Sequence, residues 1–243
     1  YMVLDASDAF WELILHPKER RYYTGLVNNQ YLVYLRTAQG SRGAPLSWAS
    51  VFGLACRLLQ SLFHVDGTDW AIPFQALFNV YVDDPLLILR GSAEKRNRLA
   101  AIAVLAWRTI GVGLAYKKAQ FGDAIDWIGW SLFCYCSRGT FVCTVRSDRL
   151  AELRDLTVSL LKTNVTPLKT LRTFTGKAQS MASVLFTWRP FVAMLWAAMY
   201  DDAVSGAPPG CVWTRQITEA LTWILAFLDK ANGSVERIFD AVE

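Results

Sequence analysis

The chain has 243 residues, 53% of them hydrophobic, with 10 Trp and 13 Phe and a formal net charge of +4. That much apolar material supplies a sizeable core and excludes a disordered or collagen-like chain. No apolar run reaches the roughly 20 residues that span a bilayer; the longest, 99–107 and 191–200, are short and flanked by arginine.

Charge is unevenly spread. Residues 1–90 carry 7 basic and 8 acidic side chains, 91–189 carry 15 and 6, and 190–243 carry 3 and 7. A basic middle after an acidic turn suits an enzyme that handles polyanions. Cys56, Cys134, Cys136, Cys143 and Cys211 form no disulfide or zinc spacing. Buried free thiols in a reducing, intracellular setting are expected.

In chain order, 2–5 reads as a short buried strand ending on Asp5. Residues 10–15 read as a strand, or a helical turn and strand, stopped by His16-Pro17. Residues 22–27 and 31–35 are β-rich runs around Asn28-Asn29-Gln30, a hairpin signal. After the glycine-rich loop 39–45, Pro45 suits the first turn of a helix running through Phe63. Residues 64–75 read as a polar loop. Two apolar runs within 77–90 then flank Asp83-Asp84, predicting strand, tight acidic turn and returning strand. Ser92 is a helix N-cap, with apolar spacing through Ile110 and glycines at 111 and 113. Strands are predicted at 125–130, 132–136 and 141–145.

From Ser147 onward everything reads helical. Thr166-Pro167 serves as N-cap and first-turn proline, 206–210 is the linker, 213–228 is the last helix, and the tail beyond Gly233 is undefined. Strands first and helices later predict an α+β fold. The expected domains are 1–146, a helical 147–205, and 206–243 with a linker and C-terminal helix.

Two adjacent carboxylates at the tip of an apolar hairpin repel each other. They form either a solvated turn or a site for a hard divalent cation such as Mg²⁺. Asp5, ending a buried strand, is the natural third carboxylate. Here the segments match a known order. Residues 4–11 (Leu-Asp-Ala-Ser-Asp-Ala-Phe-Trp) resemble motif A of reverse transcriptases, and 39–45 (Gln-Gly-Ser-Arg-Gly-Ala-Pro) resemble motif B. Tyr81-Val82-Asp83-Asp84 resembles the Tyr-x-Asp-Asp box of motif C, 113–121 is similar to motif D, and 127–130 is similar to the primer-grip motif E. Order and spacing match retroviral and LTR-retrotransposon enzymes. The Phe-Thr-Gly-Lys core at 174–177 looks closer to tyrosine-recombinase (DIRS-type) elements.

The resemblance implies a polymerase palm with an antiparallel sheet and packed helices, followed by a helical thumb. Asp5, Asp83 and Asp84 would ligate two Mg²⁺ ions, with Mn²⁺ as a substitute. Phe10 would be the steric gate, and Asp8 and Ala9 would offer backbone N–H groups to the triphosphate. Gln39 would contact the nucleotide, with Lys117 or Lys118 as general acid or phosphate contact. Gly40 and Gly43 would let backbone approach the template. Tyr81 belongs to the catalytic box, and Trp127, Ile128 and Gly129 would position the primer. Lys169, Arg172 and Lys177 would follow the duplex backbone, or form a solvated helix face. The implied partners are an RNA or DNA template with primer and deoxynucleoside triphosphates.

Two departures stand out. The family's fingers segment precedes motif A, and the chain starts there, so little polymerase activity is expected of this stretch alone. Pro85 replaces the family's Ile, Leu or Val, as a tolerable first-strand residue. The rival readings are a catalytically inactive retroelement remnant that binds nucleic acid or a protein, and an RNA-dependent RNA polymerase palm.

Overall fold

The computed structural model describes residues 1–63, 75–200, 206–229 and 235–240. The fold is α+β with antiparallel sheets, and the chain divides into two compact units, Tyr1–Ile128 and Gly129–Glu243.

The first unit runs β1 (Met2–Val3), β2 (Thr24–Val27), β3 (Gln30–Val33), α1 (Ala44–Leu62), β4 (Ala76–Tyr81), β5 (Asp84–Leu89), α2 (Ala93–Thr109), β6 (Gln120–Phe121) and β7 (Ala124–Trp127). Its main sheet has the order β4-β5-β1-β6. Met2 pairs with Leu87 on one side and Phe121 on the other. β1 is therefore central, and Met2, Val3 and Leu4 are all buried, as a strand covered on both faces requires.

α1 and α2 supply the cover. Trp48, Phe52, Cys56 and Leu59 of α1 recur at helical spacing and are buried together with Leu99, Ala103 and Trp107 of α2. Each such large side chain contributes about 1.5–3 kcal/mol by leaving water. Trp107 meets Phe78 of β4 edge-on, ring centroids 5.7 Å apart, and Phe52 stacks on Trp48 at 5.1 Å. Gln60 of α1 braces the outer edge of β4, donating to the Ala76 carbonyl at 2.8 Å and accepting the Phe78 N–H at 2.8 Å. Ser92 caps α2 as predicted, its Oγ accepting the Lys95 N–H at 3.3 Å.

β2 and β3 form a separate two-stranded ribbon. Its Asn28-Asn29 turn has φ of 49° and 61°, the positive pair that a type I′ hairpin needs. Leu26, Val27, Tyr31, Leu32 and Val33 of this ribbon are exposed.

The second unit runs β8 (Trp130–Tyr135), β9 (Thr140–Val145), α3 (Ser147–Leu161), β10 (Val165–Pro167), α4 (Leu168–Ala182), α5 (Arg189–Tyr200), β11 (Cys211–Trp213), α6 (Thr218–Asp229) and β12 (Glu236–Asp240). The helices pack α4 on α5 and α3 on α6 around Leu153, Leu171, Phe174, Leu195 and Leu221. Thr166 and Thr214 are buried beside them and share a hydroxyl–hydroxyl hydrogen bond of 3.0 Å.

The structure corrects the all-helical reading after Ser147. Val165–Pro167 pairs with Cys211–Trp213, so Thr166 and Trp213 lie in strands and the last helix starts only at Thr218. The tail is not undefined either: Glu236–Asp240 pairs with β9, Arg237 opposite Cys143. β12 pairs with β9 and β9 with β8, and all three strands belong to the second unit. The expected loop at 64–75 and the segment 201–205 lie largely outside the described residues.

Cys56 and Cys143 are buried, as expected of free thiols. Burial pushes both up to about 11. Cys136 is instead exposed, because β8 ends at Tyr135 and Cys136 opens a 3-10 turn.

Candidate active site

The site is assembled where β1 ends. Beyond Val3 the chain continues extended between the acidic hairpin and the segment after α2. On one side the Leu4 N–H donates to the Pro85 carbonyl at 3.3 Å and the Ala6 N–H donates to the Asp83 carbonyl at 3.0 Å. On the other, the Ser7 N–H donates to Gly113 at 3.0 Å and the Asp5 carbonyl accepts the Ala115 N–H at 2.8 Å. These backbone bonds hold residue 5, the turn at 82–83 and the 113–118 segment against one another.

Tyr81 pairs with Asp84, leaving Val82 and Asp83 as a two-residue turn. Val82 sits at φ 55°, a left-handed conformation that a β-branched residue rarely adopts. Among the described residues, Asp8 (54°) and Ile128 (45°) are the other non-glycine residues of this kind outside the β2–β3 turn. All three lie in segments that carry candidate site residues, and each such conformation costs on the order of 1–3 kcal/mol.

Asp5 and Asp84 line one cleft of about 160 Å³, together with Lys118, Gln120, Asp126 and Trp127. Burial first, then the charges of Asp83 and Asp5, raise the Asp84 carboxyl above its ordinary range, while Lys118 opposes them. Lys118 donates to Asp5 Oδ2 at 2.5 Å; that bond, followed by the Asp5 charge, raises the ammonium above its usual value. The Asp5 side chain is only 16% exposed and that of Lys118 is 74% exposed. Lys118 is thus an exposed cation paired with a largely buried carboxylate. Lys117, its neighbour in the same 3-10 turn, has no ion pair among the described residues.

These groups are hard oxygen donors of the kind Mg²⁺ prefers. Among the described residues, no three His, Cys, Asp or Glu side chains are gathered about a single point. What the backbone has brought together is the Asp5 and Asp84 carboxylates on one cleft, with Asp83 next in the turn.

Trp127 reaches the site through its indole, donating to the Asp84 carbonyl at 3.1 Å. Ile128 and Gly129, at φ 45° and 89°, form the positive-φ pair that interrupts the strand expected over 125–130. Gln120 and Asp126, not singled out in the sequence, are tied by a two-way bond, Gln120 Nε2 to the Asp126 carbonyl at 2.9 Å and the Asp126 N–H to Gln120 Oε1 at 2.7 Å. Only the three-dimensional return of β7 past β6 places them at the cleft.

Other candidates fall nearby or elsewhere. Ala9 is buried, and Phe10 packs against the core of the unit, its carbonyl accepting the Thr37 hydroxyl. Gln39 and Gly40 are exposed, Gly40 at φ 88°, whereas Gly43 at φ −90° starts α1 and needs no glycine for its backbone. Lys169 and Arg172 lie on the exposed side of α4. Lys177 does not: it donates to Glu152 of α3 and holds that carboxyl below its usual range. Its charge is spent on a helix–helix tie.

Pro85 also needs correction. It is the second residue of β5, inside the sheet and not at a strand end. Its carbonyl serves Leu4, but proline has no N–H to return to the Leu4 carbonyl. The missing bond falls where the regular β1 ladder already stops, at Val3.

No protein-family model matches the sequence, and no curated protein matches it. Solved structures do. A foamy viral protease-reverse transcriptase in complex with an RNA/DNA hybrid superposes with a TM-score of 0.65 at 16% identity, over 94% of this chain and 27% of that one. Two complexes of the foamy viral enzyme with double-stranded DNA give TM-scores of 0.64 and 0.59 at 15% identity, over 94% of this chain and 35% and 41% of theirs. The chain therefore spans well under half the length of these neighbours. No helix among the described residues is long and apolar enough to cross a membrane. The fold is reverse-transcriptase-like.

Proposed function

We propose that this chain is the palm and thumb portion of an RNA-directed DNA polymerase, a nucleotidyltransferase that extends a primer with deoxynucleotides. One observation carries the reading: main-chain hydrogen bonds fix Asp5 beside the Asp83-Asp84 turn, with Lys118 bridging toward them. A buried strand end and a hairpin tip, distant in sequence, thus offer carboxylates to one cleft.

In this reading Asp5, Asp83 and Asp84 hold two Mg²⁺ ions, and Mn²⁺ can replace them. The bound ions supply activation of the primer hydroxyl and neutralisation of phosphate charge. Lys118 moves from Asp5 to a phosphate, or delivers a proton to the leaving pyrophosphate, as the nucleotide arrives. The turn at Asp8 and Ala9 presents main-chain N–H groups to the triphosphate, and Phe10 closes the sugar side against a ribose 2′-hydroxyl. Gln39 contacts the nucleotide, and Gly40 and Gly43 leave room for the template. Trp127, anchored on the Asp84 carbonyl, sets the primer terminus relative to the catalytic turn, with Ile128 and Gly129. Lys169 and Arg172 of α4 meet backbone phosphates.

The test is primer extension on an RNA template by a longer chain that includes the preceding segment, with Mg²⁺ or Mn²⁺ and deoxynucleotides. Extension that disappears in Asp83→Asn supports the reading. Extension that survives Asp83→Asn, or a strong preference for ribonucleotides, overturns it. A folded chain that binds nucleic acid and never extends a primer is the inactive remnant instead.

A further inference from the structure

We propose that the second unit carries a phosphate-binding site built from Arg189, Phe186 and Arg237, and that its ligand is the phosphodiester backbone of a nucleic acid. Three observations converge on it. Both guanidinium groups lie over one aromatic ring, Arg189 at 3.9 Å and Arg237 at 4.0 Å from the Phe186 centroid. Neither arginine has a carboxylate partner among the described residues. And Phe186 is 47% exposed although it holds two charged groups in place.

The cluster comes from separate parts of the chain. Phe186 belongs to the α4–α5 connection and Arg189 opens α5, while Arg237 belongs to β12, where its guanidinium also lies 4.5 Å from the Phe239 centroid. Each arginine is oriented by a main-chain carbonyl at the end of α4: Arg189 Nε donates to Ala182 at 3.2 Å, and Arg237 donates to Val184 at 3.5 Å. Those contacts use one N–H of each fork and suit the negative end of the helix dipole. A guanidinium carries five N–H donors, so most of the donor capacity stays available.

Two like charges on one ring repel, and ring attraction and a partial helix charge only offset that. Anions seated on the two guanidiniums remove the repulsion. A nucleic-acid backbone is favoured over a lone carboxylate because it presents successive phosphates, each with several oxygens for one guanidinium fork.

The site rests on the proposed nucleic-acid function only for the source of its phosphate. The measurement is fluorescence anisotropy of a short labelled RNA/DNA duplex across a salt series, for the wild-type chain, the Arg189→Gln/Arg237→Gln double variant and the Arg189→Lys/Arg237→Lys double variant. Circular-dichroism melts establish that each variant is folded. The Gln variant is expected to bind several-fold more weakly at low salt, with the log–log salt slope reduced by about 1–2. The Lys variant keeps the charges and should keep the slope. If the wild type binds and the Gln variant matches it in affinity and slope, the site is refuted while the polymerase reading stands. If the Gln variant does not fold, an unchanged slope in Arg237→Lys combined with Arg189→Gln refutes it equally. A wild-type chain that binds no duplex at any salt sinks both. Loss of extension in Asp83→Asn with duplex binding intact bears on the polymerase reading alone.

Discussion

Neutralising Asp83 should stabilise the metal-free protein while removing its response to Mg²⁺. In the cleft, the charges of Asp83 and Asp5 push Asp84 toward its protonated form, and Lys118 only partly compensates. Two unit charges about 4 Å apart repel by about 1 kcal/mol in a water-like medium and about 4 kcal/mol at an effective dielectric of 20. Asp84 is partly exposed, so the lower figure applies. The Asp83 carbonyl that receives the Ala6 N–H is retained in Asp83→Asn, so the backbone frame survives. A gain of about 1 kcal/mol corresponds to a Tm about 2–4 °C higher for a chain of this size.

The pH dependence has a defined sign. An acid whose folded pKa is raised contributes stability below its usual value of 3.8 that is lost as pH rises through the raised value. Asp83→Asn diminishes that loss, so the Tm difference between variant and wild type is small in acid and opens as pH rises. Mg²⁺ at about 100 times its dissociation constant stabilises a site by about 2.7 kcal/mol; the wild type should show such a rise and the variant much less. Thermal melts in EDTA and in Mg²⁺, from acid to neutral pH, decide it. A variant that melts below the wild type in EDTA, or gains as much from Mg²⁺, refutes the shared-cleft electrostatics.

Three further outcomes are expected. Lys118→Met removes the cation beside Asp5, so metal-free protein should lose stability while Mg²⁺-loaded protein changes little; chelator and Mg²⁺ melts compare them. Thr214→Val strands the Thr166 hydroxyl in the core and should cost about 1–3 kcal/mol, whereas Thr166→Val/Thr214→Val should be close to neutral; urea unfolding of the full cycle measures the coupling. Trp107→Ala empties the centre of the first unit, where the ring is fully buried, and should cost about 3–5 kcal/mol, read as a lower urea midpoint with the slope unchanged.

Local chemistry was legible in the sequence. The Asn28-Asn29 turn, the Ser92 cap, Pro45 in the first turn of α1 and the acidic hairpin at 81–84 each announce themselves within a few residues, and each forms. What could not be read was pairing across distance. Nothing near Thr166 says that Val212 lies opposite it, and nothing near Glu236 points to Thr144. Short strands next to helical periodicity lose their signal, so three of them were read as helix or tail. Asp5 and Asp84 stand out by residue type and order, and both line the cleft. Asp126 and Gln120 were missed because their place at the cleft depends on β6 and β7 returning to β1, and the ion pair of Lys177 because it depends on α3.

The position of β1 has a bearing on how the molecule forms. Met2–Val3 needs Leu86 and Leu87 on one side and Gln120 and Phe121 on the other. During synthesis, Met2–Val3 must wait until Leu86 and Leu87, and then Gln120 and Phe121, have been made before the strand has neighbours. Such non-local pairing closes large loops before contacts reward it and slows folding. Until then the apolar segment 2–4 and the ready-made 84–89 edge stand open to other partners. Asp5, just beyond β1, is thus made well before the segments that place it, and chaperone dependence of this unit during synthesis should be greatest before residue 121 has emerged.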